Sequence, residues 1–68
     1  QVNYKRKEEF IIIIAMKREE TSVQLYTDLA NLSAEPSIKQ LFIRLSAEEA
    51  KHKLHFEKIY NDEILKDN

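Results

Sequence analysis

The sequence predicts an all-α fold, a hairpin of two long antiparallel helices, on three observations. Its 68 residues contain no Gly and a single Pro, so turn chemistry is confined to one place in mid-chain. The composition is dominated by Lys, Glu, Leu, Ile and Ala, the residues of long helices. Apolar residues recur at steps of three and four on both sides of Pro36, which is the period of a helix and not of a strand.

Residues up to about Lys7 show little periodicity and read as a frayed lead-in. The first helix is expected over about residues 8–33. Phe10-Ile11-Ile12-Ile13-Ile14 alone would suit a buried strand, because β-branched residues favour that state. The continuation decides against it: Ile12, Met16, Glu19, Val23, Tyr26, Ala30 and Ser33 follow at four and three, and Ile11, Ala15, Ser22, Leu25, Leu29 and Leu32 widen the stripe. Five consecutive large apolar residues cover most of a helix circumference, more than one neighbouring helix can bury, so a second chain is expected over that end.

The break falls at residues 34–36. Pro36 suits the first position of a helix, with Glu35 or a nearby Ser available to cap it. The second helix is expected over about residues 36–65, with Lys66-Asp67-Asn68 as a fraying end. Along it Ile38, Phe42, Leu45, Glu49, His52, Phe56 and Ile59 form one stripe. Residues 1–68 thus make at most one small domain, at a length where a single core is marginal and needs help from metal, disulfide or oligomer. No Cys is present, which removes disulfides and thiolate metal sites and leaves the other two.

Several function classes are disfavoured. A net charge of −1 argues against nucleic acid as a partner, since such proteins carry a strongly basic face. Lys5-Arg6-Lys7 is answered at once by Glu8 and Glu9. Phe10–Met16 falls far short of the roughly 20 residues of a membrane span, and Lys17-Arg18-Glu19-Glu20 follow where a signal peptide would place small residues. No membrane partner is expected, and a cytoplasmic location is the default. The chain opens on Gln1 and not on Met, so neighbouring segments of a longer protein are kept in view.

Two polar residues, Glu49 and His52, stand on the apolar stripe of the second helix. An unpaired buried carboxylate is costly, so their position calls for a partner such as a metal. Glu19 stands likewise on the stripe of the first helix, whereas Glu20 aligns with Gln24, Thr27 and Asn31 on a polar face. Glu19 lies 16 residues before Glu35 and Glu49 lies 14 after it, so both sit roughly 21–24 Å from the tip at about 1.5 Å per residue. An antiparallel hairpin sets them side by side, with His52 one turn along. Carboxylates with an imidazole and no sulfur suit iron or manganese better than zinc. Glu48 and His55 fall off the stripe and read as solvated.

Glu19-x-x-Ser22-x-x-x-Tyr26-x-x-Leu29-Ala30, a short Pro-containing turn, and Leu41-Phe42-x-x-Leu45-x-x-x-Glu49-x-x-His52 resemble one half of a ferritin-like, rubrerythrin-type di-iron carboxylate domain. The resemblance spans roughly Phe10 to Ile59. It implies Glu19 as a terminal metal ligand, Glu49 as a bridging carboxylate and His52 as the nitrogen ligand, with Tyr26 beside the site and able to hydrogen-bond a ligand carboxylate. Members of that family hold two such halves in one four-helix bundle. With one half, this chain resembles the half-ferritins of encapsulated systems, which implies a homodimer or higher homo-oligomer, and an encapsulating shell or an electron-transfer partner. The paired cysteines of a rubredoxin-like module are absent, so no built-in electron donor is expected.

The expected function is therefore di-iron chemistry: oxidation of Fe(II) by dioxygen or peroxide at a site formed between two chains, of ferroxidase or peroxidase type. A di-manganese site decomposing peroxide uses the same ligands. The contrasting reading is a non-catalytic helical hairpin for dimerisation or docking, in which Glu49 and His52 only fix helix register.

Overall fold

The computed structural model describes residues 2–65, with side chains from residue 6 onward. Helix α1 spans Val2–Leu32 and helix α2 spans Pro36–Ile59, followed by a π-helical segment, Tyr60–Ile64. The described residues contain no strand. The protein is thus all-α with two long helices.

Both outer ends differ from the sequence expectation. α1 begins at Val2, not near Glu8. Periodicity reports packing and not helicity, and Lys5 to Glu9 are good helix formers with no breaker among them. At the other end the regular α-helix stops at Ile59, where the Tyr60 N–H reaches the carbonyls of both Glu57 and Phe56, and the coil widens into the π-turn. The expected fraying of Lys66-Asp67-Asn68 lies outside the described residues.

The turn is fully bonded. Glu35 is the N-cap of α2 in extended conformation, φ −83° and ψ 121°, with Pro36 following in the first turn. One carboxylate oxygen, Oε1, accepts from the Ser37 N–H (2.7 Å), the Ser37 hydroxyl (2.6 Å) and the Ile38 N–H (3.2 Å). Those amides have no carbonyl partner within the helix, which is why a capping side chain matters. The end of α1 is answered from α2, where Lys39 Nζ donates to the Ala30 carbonyl at 2.9 Å.

Cross-helix bonds fix the register along the hairpin. The Ser46 hydroxyl shares a 2.9 Å bond with that of Thr27 and donates to the Val23 carbonyl at 3.4 Å. Lys53 pairs with Glu20 at 3.3 Å, and the Tyr60 hydroxyl donates to Glu9 at 3.0 Å. The molecule measures 52 × 16 × 12 Å, so it is one helix thick. Among the described residues only Ala30 and Ile64 are buried apolar positions.

Ile12, Met16, Glu19, Val23, Tyr26 and Ala30 all turn into the seam, as the α1 stripe predicts. The α2 stripe is corrected. Phe42, Leu45, Glu49, Phe56 and Ile59 are half-buried, but Ile38 and His52 are exposed, while Ser46, Ala50 and Lys53 are half-buried in their place. The seam on α2 is rotated away from His52, which stands at its rim. Steps of three and four through Ile38 and His52 trace the border between two apolar faces of α2 and not the centre of one. The second face is open: Ile11, Ile14, Leu25, Ile38 and Leu41 are each about half exposed.

Candidate metal centre

Midway along the hairpin the seam holds three residues with metal-binding side chains. Glu19 comes from α1; Glu49 and His52 come from consecutive turns of α2, a spacing of three that sets both on one face. One ligand atom from each falls within 4.8 Å of the others. His52 Nδ1 lies 3.1 Å from Glu19 Oε2 and 3.9 Å from Glu49 Oε2. Exposure is graded: the Glu19 side chain is 12% exposed, Glu49 21% and His52 57%. The carboxylates form the floor and the imidazole the rim.

The electrostatics are those of a crowded anionic site. The Glu49 carboxyl is held above its ordinary range, first by the hydrogen bond it makes with Glu19, then by desolvation and by the Glu19 charge; His52 and Arg18 oppose the shift. Two carboxylates this close cannot both ionise cheaply, which favours the protonated form of Glu49. A cation supplies what the proton supplies, with more charge. The donor set also fits: oxygen and nitrogen atoms within 4.8 Å can converge on one ion at ligand distances slightly above 2 Å.

Surrounding residues separate clearly into those that join the site and those that do not. Ile11, Ile14, Ala15, Arg18, Ser22 and Phe56 line one open groove with the three candidate ligands. Tyr26 also lines it, stacked on Phe42 with ring centroids 6.1 Å apart. That stacking is the contact of a packed aromatic beside the candidate ligands. Glu20 turns away to Lys53, Glu48 pairs with Lys51 at 3.4 Å, and His55 tilts against Phe56. Arg18 is the participant that the α1 stripe overlooked. Its signal was its place seven residues after Ile11 and seven before Leu25, a lone cation on the open apolar face.

A protein-family model described as Rubrerythrin matches residues 2–64. No curated protein and no solved structure matches the chain.

Proposed function

The chain belongs to the rubrerythrin family, and on that premise we propose that it binds iron through Glu19, Glu49 and His52 and oxidises Fe(II) with dioxygen or peroxide at a di-iron centre completed by a second copy. The observation that carries this reading is the convergence of two carboxylates and an imidazole from two helices at mid-hairpin. Three ligating side chains per hairpin are too few for two metals; two hairpins related by a two-fold axis offer four Glu and two His, the ligand set of carboxylate-bridged bundles.

When bound, the metal pair supplies the one-electron steps that link Fe(II) to the oxidant. The chain's own residues do the rest. Metal uptake would displace the proton that the raised Glu49 carboxyl retains, so binding and deprotonation are linked. His52, at the rim, presents Nδ1 toward the same point as the Glu19 carboxylate. Ile11, Ile14 and Phe56 line the approach and, once covered, keep water from the ligands.

The test is aerobic addition of Fe(II) to the purified chain, followed by ferric absorbance, metal content and oligomeric mass on one sample. The expected result is a ferric signal saturating near about two irons per dimer. A chain that takes up no metal under these conditions sinks the proposal, and Mn(II) uptake with peroxide loss but no Fe(II) oxidation replaces iron with manganese.

A further inference from the structure

His52 faces two ways. Its Nδ1 lies 3.1 Å from Glu19 Oε2, and a carboxylate only accepts, so Nδ1 carries the ring proton and donates it. The lone pair of the neutral ring then falls on Nε2. With Nδ1 turned into the seam, Nε2 is turned out of it, on a side chain 57% exposed. Glu19 thus holds His52 in the way that a carboxylate holds a histidine whose other nitrogen binds metal.

The outer side of α2 supplies partners for that nitrogen. The chain has two histidines, and the other, His55, stands three residues on, while Glu48 stands four before. Those are the spacings at which helical side chains meet and at which two ligands from one helix share an ion. All three residues are exposed, and they leave the helix within an arc of about 60°. Helical side chains lean toward the N-terminus, so His55 leans toward His52. In the structure Glu48 rests on Lys51 at 3.4 Å, and His55 tilts against Phe56 with ring centroids 6.4 Å apart. An exposed ion pair restrains little, and both side chains keep solvent on their open side.

We propose that His52 Nε2 and His55 form a second metal site on the outer side of α2, with Glu48 as its counter-charge, and that a first-row divalent cation lands there before it reaches Glu19 and Glu49. The landing site stands on its own geometry; its role as the way in rests on the iron reading of the inner centre. A neutral imidazole has one lone pair, so the two sites use His52 in turn. For passage inward His52 gives up its Nδ1 proton and regains one at Nε2 through water as the ion changes sides. The ring is neutral before and after.

Zn(II) is the probe, because an imidazole pair favours it over Fe(II) and it is diamagnetic. Imidazole nitrogen and ring-proton spectra of the metal-free chain at neutral pH are expected to show His52 with its proton on Nδ1. The first Zn(II) bound is expected to shift His52 Nε2 and a His55 nitrogen together, with the Nδ1 proton retained. His55→Ala, at an exposed helix position, is expected to lower Zn(II) affinity at least about tenfold and Glu48→Gln to lower it less. Zn(II) that displaces the Nδ1 proton and leaves His55 unmoved overturns the outer site and leaves the inner one standing. Parent affinity in His55→Ala, with helix content unchanged, overturns it too.

The way in is read with limiting Fe(II) under air. His55→Ala is expected to reach the ferric end point of the parent but to rise toward it severalfold more slowly. Equal rates overturn the route while the Zn(II) site remains. A parent chain that gives no ferric signal sinks the iron reading and the route with it, and the Zn(II) spectra still decide the outer site.

Discussion

Two glutamates on the same hairpin are shifted in opposite directions from the ordinary carboxyl value. At the tip, Glu35 is held below its ordinary value of 4.5 by the Ser37 hydroxyl, then by the Ile38 and Ser37 amides. At mid-hairpin, Glu49 is held above the same value by Glu19. The tip carboxylate has every partner it needs within three residues of sequence. The mid-hairpin carboxylate has another anion for a neighbour. One end of the molecule is finished by local structure, and at the centre two carboxylates are crowded together with His52 and Arg18 only partly offsetting their charge.

The sharpest way to break this comparison is to remove the central carboxylate. Glu49→Ala is expected to lower metal affinity by at least about 100-fold, since even residues that only orient metal ligands are worth ten- to a hundredfold. The same change relieves the Glu19–Glu49 crowding, so the metal-free chain should melt no lower than the parent. Isothermal titration with Fe(II) or Mn(II), paired with a thermal melt of the metal-free chain, reads both. A variant that still binds metal tightly would show that the raised carboxyl is ordinary seam chemistry.

The next largest effect concerns the faces. Leu41→Asp alters the open face and is expected to weaken association by roughly 100-fold, because each two-fold dimer loses two buried leucines at about 1.5 kcal/mol or more apiece. Leu54→Asp serves as the control. Leu54 is 65% exposed, more so than Leu41 at 50%, yet it lies on the other side of α2. Equal loss of dimer mass in both variants would mean that exposure, and not the ligand-bearing face, governs association.

The hairpin, the Pro36 start and the placement of Glu19 rather than Glu20 in the seam were legible in the sequence, because each rests on local chemistry or on one helical period. The meeting of Glu19 with Glu49 and His52 followed from matched depth across a single turn. Less was legible where two faces compete. A stripe of threes and fours through Ile38 and His52 marks an apolar surface but cannot say whether the chain's own partner helix or another molecule covers it. Arg18 was overlooked for the same reason, since its meaning depends on the second face. Tyr26 reads from sequence as a core aromatic as readily as a neighbour of the site, and its partner, the Phe42 ring, is seen only in the packing. The start of α1 at Val2 left no periodic signal at all.

Proton linkage gives a smaller, graded effect on the centre. The raised Glu49 carboxyl keeps its proton to higher pH than an isolated carboxyl, which is half-ionised at 4.5. Metal must displace that proton, so affinity should climb with pH above 4.5 by up to about tenfold per unit and level off once the pair is ionised. Without metal the sign is reversed for stability: the folded chain binds the extra proton, so the Glu49 contribution is full below 4.5 and is lost as pH rises through the raised Glu49 value. Metal titrations and melts across this range, with Glu49→Gln as the non-titrating reference, separate the two slopes. Parallel slopes for the parent and Glu49→Gln would assign them to other groups.

The smallest effect belongs to the finished end. Glu35→Ala removes the acceptor of the Ser37 and Ile38 amides and should lower the melting temperature by a few degrees at neutral pH, leaving metal affinity and dimer mass unchanged. Its pH signature runs opposite to that of Glu49. Because the folded-state value is depressed, the cap contributes fully above 4.5 and its contribution is lost as pH falls through the lowered value. The parent and Glu35→Ala should therefore differ at neutral pH and converge in acid. Glu35→Gln, which keeps an acceptor but cannot ionise, should fall between them at neutral pH. A Glu35→Ala penalty that persists undiminished below the lowered value would mean that the turn is held by Pro36 and the Lys39–Ala30 bond, and that the carboxylate merely occupies the cap position.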